Sequence, residues 1–338
     1  MKIQFLSLSD DERRLYFNQA GLLRNVSPVV LEKDFWVCWL LGILFESEFS
    51  ESLVFKGGTS LSKVFGVIDR FSEDIDLSLS PTFLALPEVG TSRNQANKWM
   101  INAEAACGSA VRDRIMPSLE SAVVDVLGNP TRSFWFEFQI DFQTNSPVLL
   151  FHYPSTQPLG FEYLSRSVKL EFGSLTDQQP NGLHPVRPWV ADTLPVAFPD
   201  WRCAVVALGV ERTFWEKATI LHTEYHRPAG KPTPERFSRH YADTAALARQ
   251  PSVAKAIRLK DLCSRVVRWK SQFFGSSWAK YNLAKPGTFR LVPPPERLPA
   301  LRRDYQAMRD MYLSEPPDFE NIIENLANLE AKINNKIT

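Results

Sequence analysis

The stretch "VFKGGTSLSKVFGVIDRFSEDIDLSLS", residues 54–80, decides the fold. An apolar run ends in Lys56 and the adjacent glycines Gly57 and Gly58, "TSLSKVF" follows with helical spacing, and "DIDLSLS" alternates polar with apolar residues. The pattern predicts a strand, a tight turn, a helix and a second strand. Where glycine leaves room, the free backbone N–H groups and positive dipole end at the start of such a helix approach a phosphate closely. Lys56 and Lys63 flank the turn, and Thr59 and Ser60 carry hydroxyls able to donate to the same oxygens. The spacing GxxxxGK[ST] is absent, which excludes a P-loop kinase or GTPase.

Asp74 and Asp76 alternate with Ile75 and Leu77, so both carboxylates point to one strand face while the apolar pair enters the core. Ser72, two residues before Asp74, falls on the same side, where a phosphoserine would set further negative charge beside the carboxylates. Two like charges held together call for a cation. A carboxylate pair whose other ligands are phosphates and waters is the chemistry of Mg²⁺ in phosphoryl and nucleotidyl transfer. An isolated DxD is more often a plain surface strand or turn; the glycine turn just upstream sets this one apart.

The chain has 338 residues, 44% of them hydrophobic, enough for one large or two ordinary domains. "FWVCWLLGILF" (Phe35 to Phe45) is too short for a membrane span and reads as a buried helix, and the polar, acidic start of the chain lacks the apolar core of a signal peptide. The expectation is a cytoplasmic protein with no membrane partner. Cys38, Cys107, Cys203 and Cys263 are far apart with no CxxC pair, which argues against a zinc site or disulfide framework. Net charge is only +1, but residues 251–303 hold twelve Lys/Arg against two Asp/Glu, a stretch able to face phosphates.

Two helices precede the motif. Residues 51 to about 175 mix strands ("SLVFKGG", "DIDLSLS", "FWFEFQIDFQT", "SVKLEFG") with a helical stretch from Asn94 to Val123. A Pro-, Gly- and Asp-rich crossing at about 176–200 leads to a mostly helical remainder. The expected parts are 1–195 and 196–338. In the last helix Phe319, Ile322, Ile323, Leu326, Leu329 and Ile333 recur at three- and four-residue intervals behind Asp318 as N-cap, predicting one packed face.

A strand ending in Gly-Gly, a helix and a strand carrying two alternating aspartates resemble the signature of the polymerase-β-like nucleotidyltransferases. More narrowly, "EKDFWVCWLL" (32–41), "FKGGTSLSK" (55–63), "RFSEDIDL" (70–77), "VKLEFG" (168–173) and "ERTFWEKATILH" (211–222) are similar, in family order, to motifs of the AbiEii/AbiGii abortive-infection toxins, relatives of the MenT-type toxins. The resemblance covers about 30–245 and leaves the last hundred residues unmatched. It implies an α+β fold, a polymerase-β-like mixed sheet with flanking helices followed by a mostly helical C-terminal region. It also implies a toxin with an antitoxin partner: a Mg²⁺-dependent enzyme that takes an NTP and modifies RNA, in characterised relatives the tRNA 3′ end.

Carried over position by position, the resemblance makes Gly57, Gly58 and Thr59 or Ser60 the phosphate-binding turn, with Lys56 and Lys63 as the basic positions of the first motif. Asp74 and Asp76 become the metal carboxylates, and Lys169 the cation that holds the triphosphate. Glu171 stands where a third acid, metal ligand or general base, is expected, and Asp141 in "QIDF" competes for that role. Glu216 and Lys217 match a Glu-Lys pair expected to reach the nucleotide from a helix, where a simple helix-surface ion pair is the competing reading. Glu32, Lys33 and Asp34 read as structural ion pairs, and His222 and His240 as capping or packing residues. Transfer to a protein target, and a catalytically silent binding homologue, are the alternatives.

Overall fold

The computed structural model describes residues 1–90, 92–130, 134–158, 165–258 and 260–335. Leu259, within the basic segment, lies outside them. The chain divides into two units, Met1–Val64 with Ser72–Ala207, and Phe65–Phe71 with Leu208–Thr338. The fold is mixed α+β, a mixed sheet flanked by helices and a mostly helical C-terminal region.

The first unit opens on α1 (Asp10–Arg24), whose start is fixed by a capping box between Ser9 and Glu12. Helix α2 (Pro28–Glu46) begins with proline in its first turn, where the missing N–H costs nothing. Its run from Leu31 to Leu44 is buried all round, and Trp36 and Trp39 are 1% and 0% exposed, so it is a core helix. Each such large side chain contributes on the order of 1.5–3 kcal/mol through its removal from water. No described helix is long and apolar enough to cross a membrane.

Strand β1 (Leu53–Lys56) turns directly into α3 (Gly57–Lys63), and β2 (Ile75–Leu79) returns antiparallel beside β1. The predicted long helical stretch is α4 (Arg93–Ala110) and α5 (Met116–Leu127), joined by one π-type turn over Val111–Ile115. Strands β3 (Phe136–Ile140), β4 (Pro147–Phe151), β5 (Val168–Gly173) and β6 (Asn181–Pro185) follow, then the short helix α6 (Trp189–Thr193) and β7 (Ala204–Leu208). The sheet order is β3-β4-β5-β2-β1-β7-β6. The antiparallel pair β2/β1 sits between the parallel pairs β5/β2 and β1/β7, and β3 and β4 extend the β5 side antiparallel. β7 pairs with β1 inside this unit, which therefore extends past residue 195 to Ala207.

In the second unit α7 (Val210–Tyr225), α8 (Ser238–Leu247), α9 (Pro251–Arg258), α10 (Lys260–Phe273), α11 (Leu298–Ala307) and α12 (Phe319–Ile333) form a helical body. α12 buries Phe319, Ile322, Leu326, Leu329 and Ile333 as its spacing predicts, while Ile323 is half-buried. Asp318 is the N-cap residue but makes no side-chain cap bond. The four cysteines are free thiols, Cys203 half-buried and the others buried.

Candidate active site

β5 shows why the sheet has a chemical face. Val168, Leu170 and Phe172 are fully buried, while Lys169, Glu171 and Gly173 lie half-exposed on the opposite side, the period-two consequence of a strand with core on one face only. β2 repeats the pattern with Ile75 and Leu77 at 0% exposure and Asp76 half-exposed. The pairing register then fixes which polar residues meet. Asp76 lies opposite Lys56 of β1 on one side and Glu171 of β5 on the other, so three strands place a cation and two carboxylates in a single row. One register step earlier Ile75 faces Leu170, and extending that step sets Asp74 beside Lys169.

The turn between β1 and α3 is shaped around this row. Gly57 has φ of +80°, a region that disfavours a side chain, and a Cβ there would lie 1.9 Å from Oδ2 of Asp76. Only glycine lets the second carboxylate sit against the turn. Gly57→Ala is therefore expected to displace Asp76, lowering activity at least tenfold and stability by about 1–3 kcal/mol. Gly66→Ala is the control, since Gly66 also has positive φ (+57°) but nothing within 4 Å of its would-be Cβ, leaving only backbone strain. Equal activity of the two variants in a transfer assay would sink the argument.

The hydroxyls that the sequence reading aims at phosphate oxygens are turned inward. Thr59, 1% exposed, has Oγ1 bonded to the Asp74 carbonyl and, at 2.9 Å, to the Ser72 hydroxyl. Ser60, 0% exposed, donates to the Gly57 carbonyl at 2.9 Å. Thr59 thus ties the turn to the approach of β2, with Ser72 as a partner, and Ser60 closes the turn on itself. Lys63 is also committed: its Nζ lies 2.7 Å from Oδ1 of buried Asp34 and 4.3 Å from the centre of the Trp189 ring.

Asp34 is one of three consecutive buried charges on α2 that brace this unit. Glu32 accepts from the Thr156 N–H and hydroxyl, both at 2.7 Å, and from the Ser155 hydroxyl at 2.6 Å. Lys33 pairs with Glu73 and donates to the Ser165 carbonyl at 2.9 Å. Asp34 also accepts from the Trp189 N–H at 2.7 Å. These are structural ties, as the sequence suggests, and Lys33 pins the residue immediately before Asp74.

The charges of the face are strongly perturbed. Burial, and then the carboxylates of Asp76 and Glu73, push the Asp74 carboxyl up to about 6, against the opposing pull of Lys169 and Lys33. Burial works against the charge on Lys169, but Glu171 (2.9 Å), Asp74 and Asp141 (3.5 Å) outweigh it and hold the ammonium above its usual range. Asp141 is locked in its own turn, Oδ1 accepting from the N–H groups of Gln143 and Thr144 at 2.9 Å and from the Thr144 hydroxyl at 3.0 Å. Glu171, in register with Asp76, is thus the better placed of the two rival acids. Among the described residues no three His, Cys, Asp or Glu side chains gather as a preformed metal cage.

Glu216 and Lys217 belong to the second unit and have partners there. Glu216 receives the Arg212 guanidinium at 3.1 Å, and Lys217 donates to Oδ2 of Asp243 at 2.9 Å. Asp243, 1% exposed, also takes both arms of Arg70, at 3.0 and 2.9 Å. This buried Arg70–Asp243–Lys217 cluster stands in place of the helix-surface pair expected of Lys217. Arg70 opens the motif "RFSEDIDL" but nothing in the sequence gives it this partner, and nothing singles out Asp243. His222, 0% exposed, accepts the Arg290 N–H on Nδ1 (3.1 Å), so its proton sits on Nε2 and goes to the Lys280 carbonyl (3.2 Å). Burial holds that ring down to about 4, so it packs as a neutral imidazole.

A glycine turn closing on a carboxylate-bearing strand, within a mixed sheet that also offers a lysine and a third acid, defines a polymerase-β-type nucleotidyltransferase. The AbiEii family profile, described as "Nucleotidyl transferase AbiEii toxin, Type IV TA system", matches residues 39–325, and the chain belongs to that family. It is a nucleotidyltransferase toxin of the toxin–antitoxin, abortive-infection type, and membership implies an NTP substrate and an antitoxin partner. The match runs well beyond the region the sequence motifs cover. Among solved structures the chain is similar to MenT4, a nucleotidyltransferase toxin from Mycobacterium tuberculosis H37Rv, at 16% identity over 95% of this chain and 97% of that one, with a TM-score of 0.45. No curated protein matches.

Proposed function

We propose that the protein transfers a nucleoside monophosphate from an NTP to the 3′-hydroxyl of an RNA, a tRNA 3′ end being the acceptor we favour, in a Mg²⁺-dependent reaction. The observation that carries this reading is the single row Lys56–Asp76–Glu171, with Asp74 and Lys169 one step away and Gly57 closed against Asp76. Oxygen-only donors, two carboxylates short of a full cage, fit Mg²⁺, which takes one or two protein carboxylates and fills its shell with phosphate and water oxygens. Asp74 and Asp76 would hold the ion, and when bound it supplies Lewis-acid stabilisation of the developing charge.

The rest is the work of the protein's own side chains. The Gly57–Gly58 turn gives the triphosphate close access to backbone, Lys56 and Lys169 neutralise its oxygens, and Lys169 offsets charge on the leaving pyrophosphate. The bond from the RNA 3′-oxygen to the α-phosphorus forms as the bond to the β-phosphate oxygen breaks. Glu171 takes the hydroxyl proton or completes the carboxylate set, held in place by Lys169.

The test is incubation of the purified protein with total RNA and each labelled NTP, with and without Mg²⁺. Label is expected in RNA and only with Mg²⁺. Label in protein instead would give the reaction a different acceptor, and no label in either would overturn the reading.

A further inference from the structure

The basic segment of the sequence is only partly available for phosphate. Arg290 pairs with Glu330 at 3.3 Å, Arg302 with Glu320, and the Arg297 guanidinium is held by the carbonyls of Lys231 and Pro228, each at 2.7 Å. A different set of cations surrounds a cleft of about 930 Å³ inside the second unit. It is walled by the end of α8, by α9 and by α12, and is lined by Arg249, Arg258, Lys332, Asn325, Asn328 and Asn335 over an apolar floor. Arg249 and Lys332 come from outside residues 251–303.

Among the described residues the lining contains three cations and no carboxylate. Among the described residues, none of Arg249, Arg258 and Lys332 makes an ion pair, and all three are exposed. The acids of α12 that do pair, Glu320 and Glu330, are turned to Arg302 and Arg290. Arg258 and Lys332 stand in the last turns of their helices, where the dipole favours a cation. That accounts for neither Arg249 nor the missing counter-charges. Three cations line one cleft with no acid among its described residues, so the cleft is complementary in charge to phosphate. The described lining also carries three carboxamides, which donate and accept, and no aromatic ring. Such a surface suits phosphates and ribose hydroxyls and offers no platform for stacking a base.

We infer that this cleft binds the sugar–phosphate backbone of the RNA acceptor, Arg249, Arg258 and Lys332 each meeting a phosphate; this rests on the RNA reading above. The test uses the whole chain with Arg249→Gln, Arg258→Gln and Lys332→Gln combined, and bulk tRNA as the probe, in a salt titration of binding without NTP. The log–log slope is expected to fall by about two to three units, because each lost phosphate contact removes about 0.7–0.9. The KM for RNA should rise with kcat kept, NTP affinity should not change, and a variant with Arg249→Lys and Arg258→Lys, which keeps the charges, should retain the wild-type slope. An unaltered slope in the glutamine variant overturns the inference. So does loss of NTP affinity with an unaltered slope, which would make the cleft a site for free nucleotide phosphates, or weakened antitoxin binding with an unaltered slope, which would make it a site for an acidic protein. Wild-type protein that binds tRNA with the expected slope yet transfers nothing would count against the proposed reaction and leave the cleft standing.

Discussion

Asp74→Asn is expected to abolish transfer and, in the same preparation, to melt higher than the wild type in metal-free buffer at pH 8. The two effects have one origin. The Asp74 carboxyl is buried and then crowded by Asp76 and Glu73, which raises it to about 6 from an ordinary 3.8. A carboxyl raised on folding is more easily kept protonated in the folded protein. Ionising it therefore takes stability away as pH rises from about 4 through 6, a loss on the order of 2 kcal/mol once partial exposure is allowed for. An amide does not ionise, so the variant escapes this loss; the melting curves should coincide near pH 4, separate as pH rises through 6 and stay apart above it. The amide is also a poor Mg²⁺ ligand, and losing several kcal/mol of charge stabilisation lowers the rate by about 10³ or more. Added Mg²⁺ should raise the melting temperature of the wild type and not of the variant. Wild-type turnover in Asp74→Asn would remove this residue from the site, and a lower melting temperature at pH 8 would contradict the electrostatic account.

The largest loss of stability is expected from Asp243→Ala. Burial alone would raise this carboxyl, but the Arg70 guanidinium and the Lys217 ammonium outweigh it and hold it well below the carboxylate range. Removing the carboxylate leaves two cations enclosed without a counter-charge, at a cost of about 3–5 kcal/mol. Because the folded-state value is depressed, the stabilisation is fully present above the unfolded value near 4 and is lost as pH falls through the acid range, so wild type and variant should approach each other in acid. Denaturant unfolding at pH 7 and at pH 3 measures both. A loss under 1 kcal/mol at pH 7 would show that the cluster does not hold the second unit together. Lys217→Met should likewise act on stability and leave NTP affinity alone, in contrast to Lys169→Met.

The sequence by itself determined the strand–turn–helix–strand of residues 53–79, because glycine before a short helix and apolar alternation on the next strand are local signals that need no partner. It also determined the common side of Asp74 and Asp76, and of Lys169 and Glu171, since residues two apart on a strand must share a face. The buried character of α2 and the packed stripe of α12 were legible for the same reason. The strands β4, β6 and β7 were not: β4 is a short apolar run and β6 and β7 lie in or beside a proline-rich stretch, and each is a strand only because a neighbouring strand takes up its backbone hydrogen bonds. Only tertiary structure decided that Asp76 lies between Lys56 and Glu171, because strand order and register are set by pairing between segments distant in the chain, Asp76 with Glu171 among them. It alone turned Thr59, Ser60, Lys63 and Lys217 inward, since a buried polar group must find whichever partner the packed chain brings within reach. And it brought Lys332, more than seventy residues away in the chain, to the cleft that Arg249 and Arg258 line, while the neighbouring arginines found carboxylates or carbonyls; a charge count along the sequence cannot separate the two.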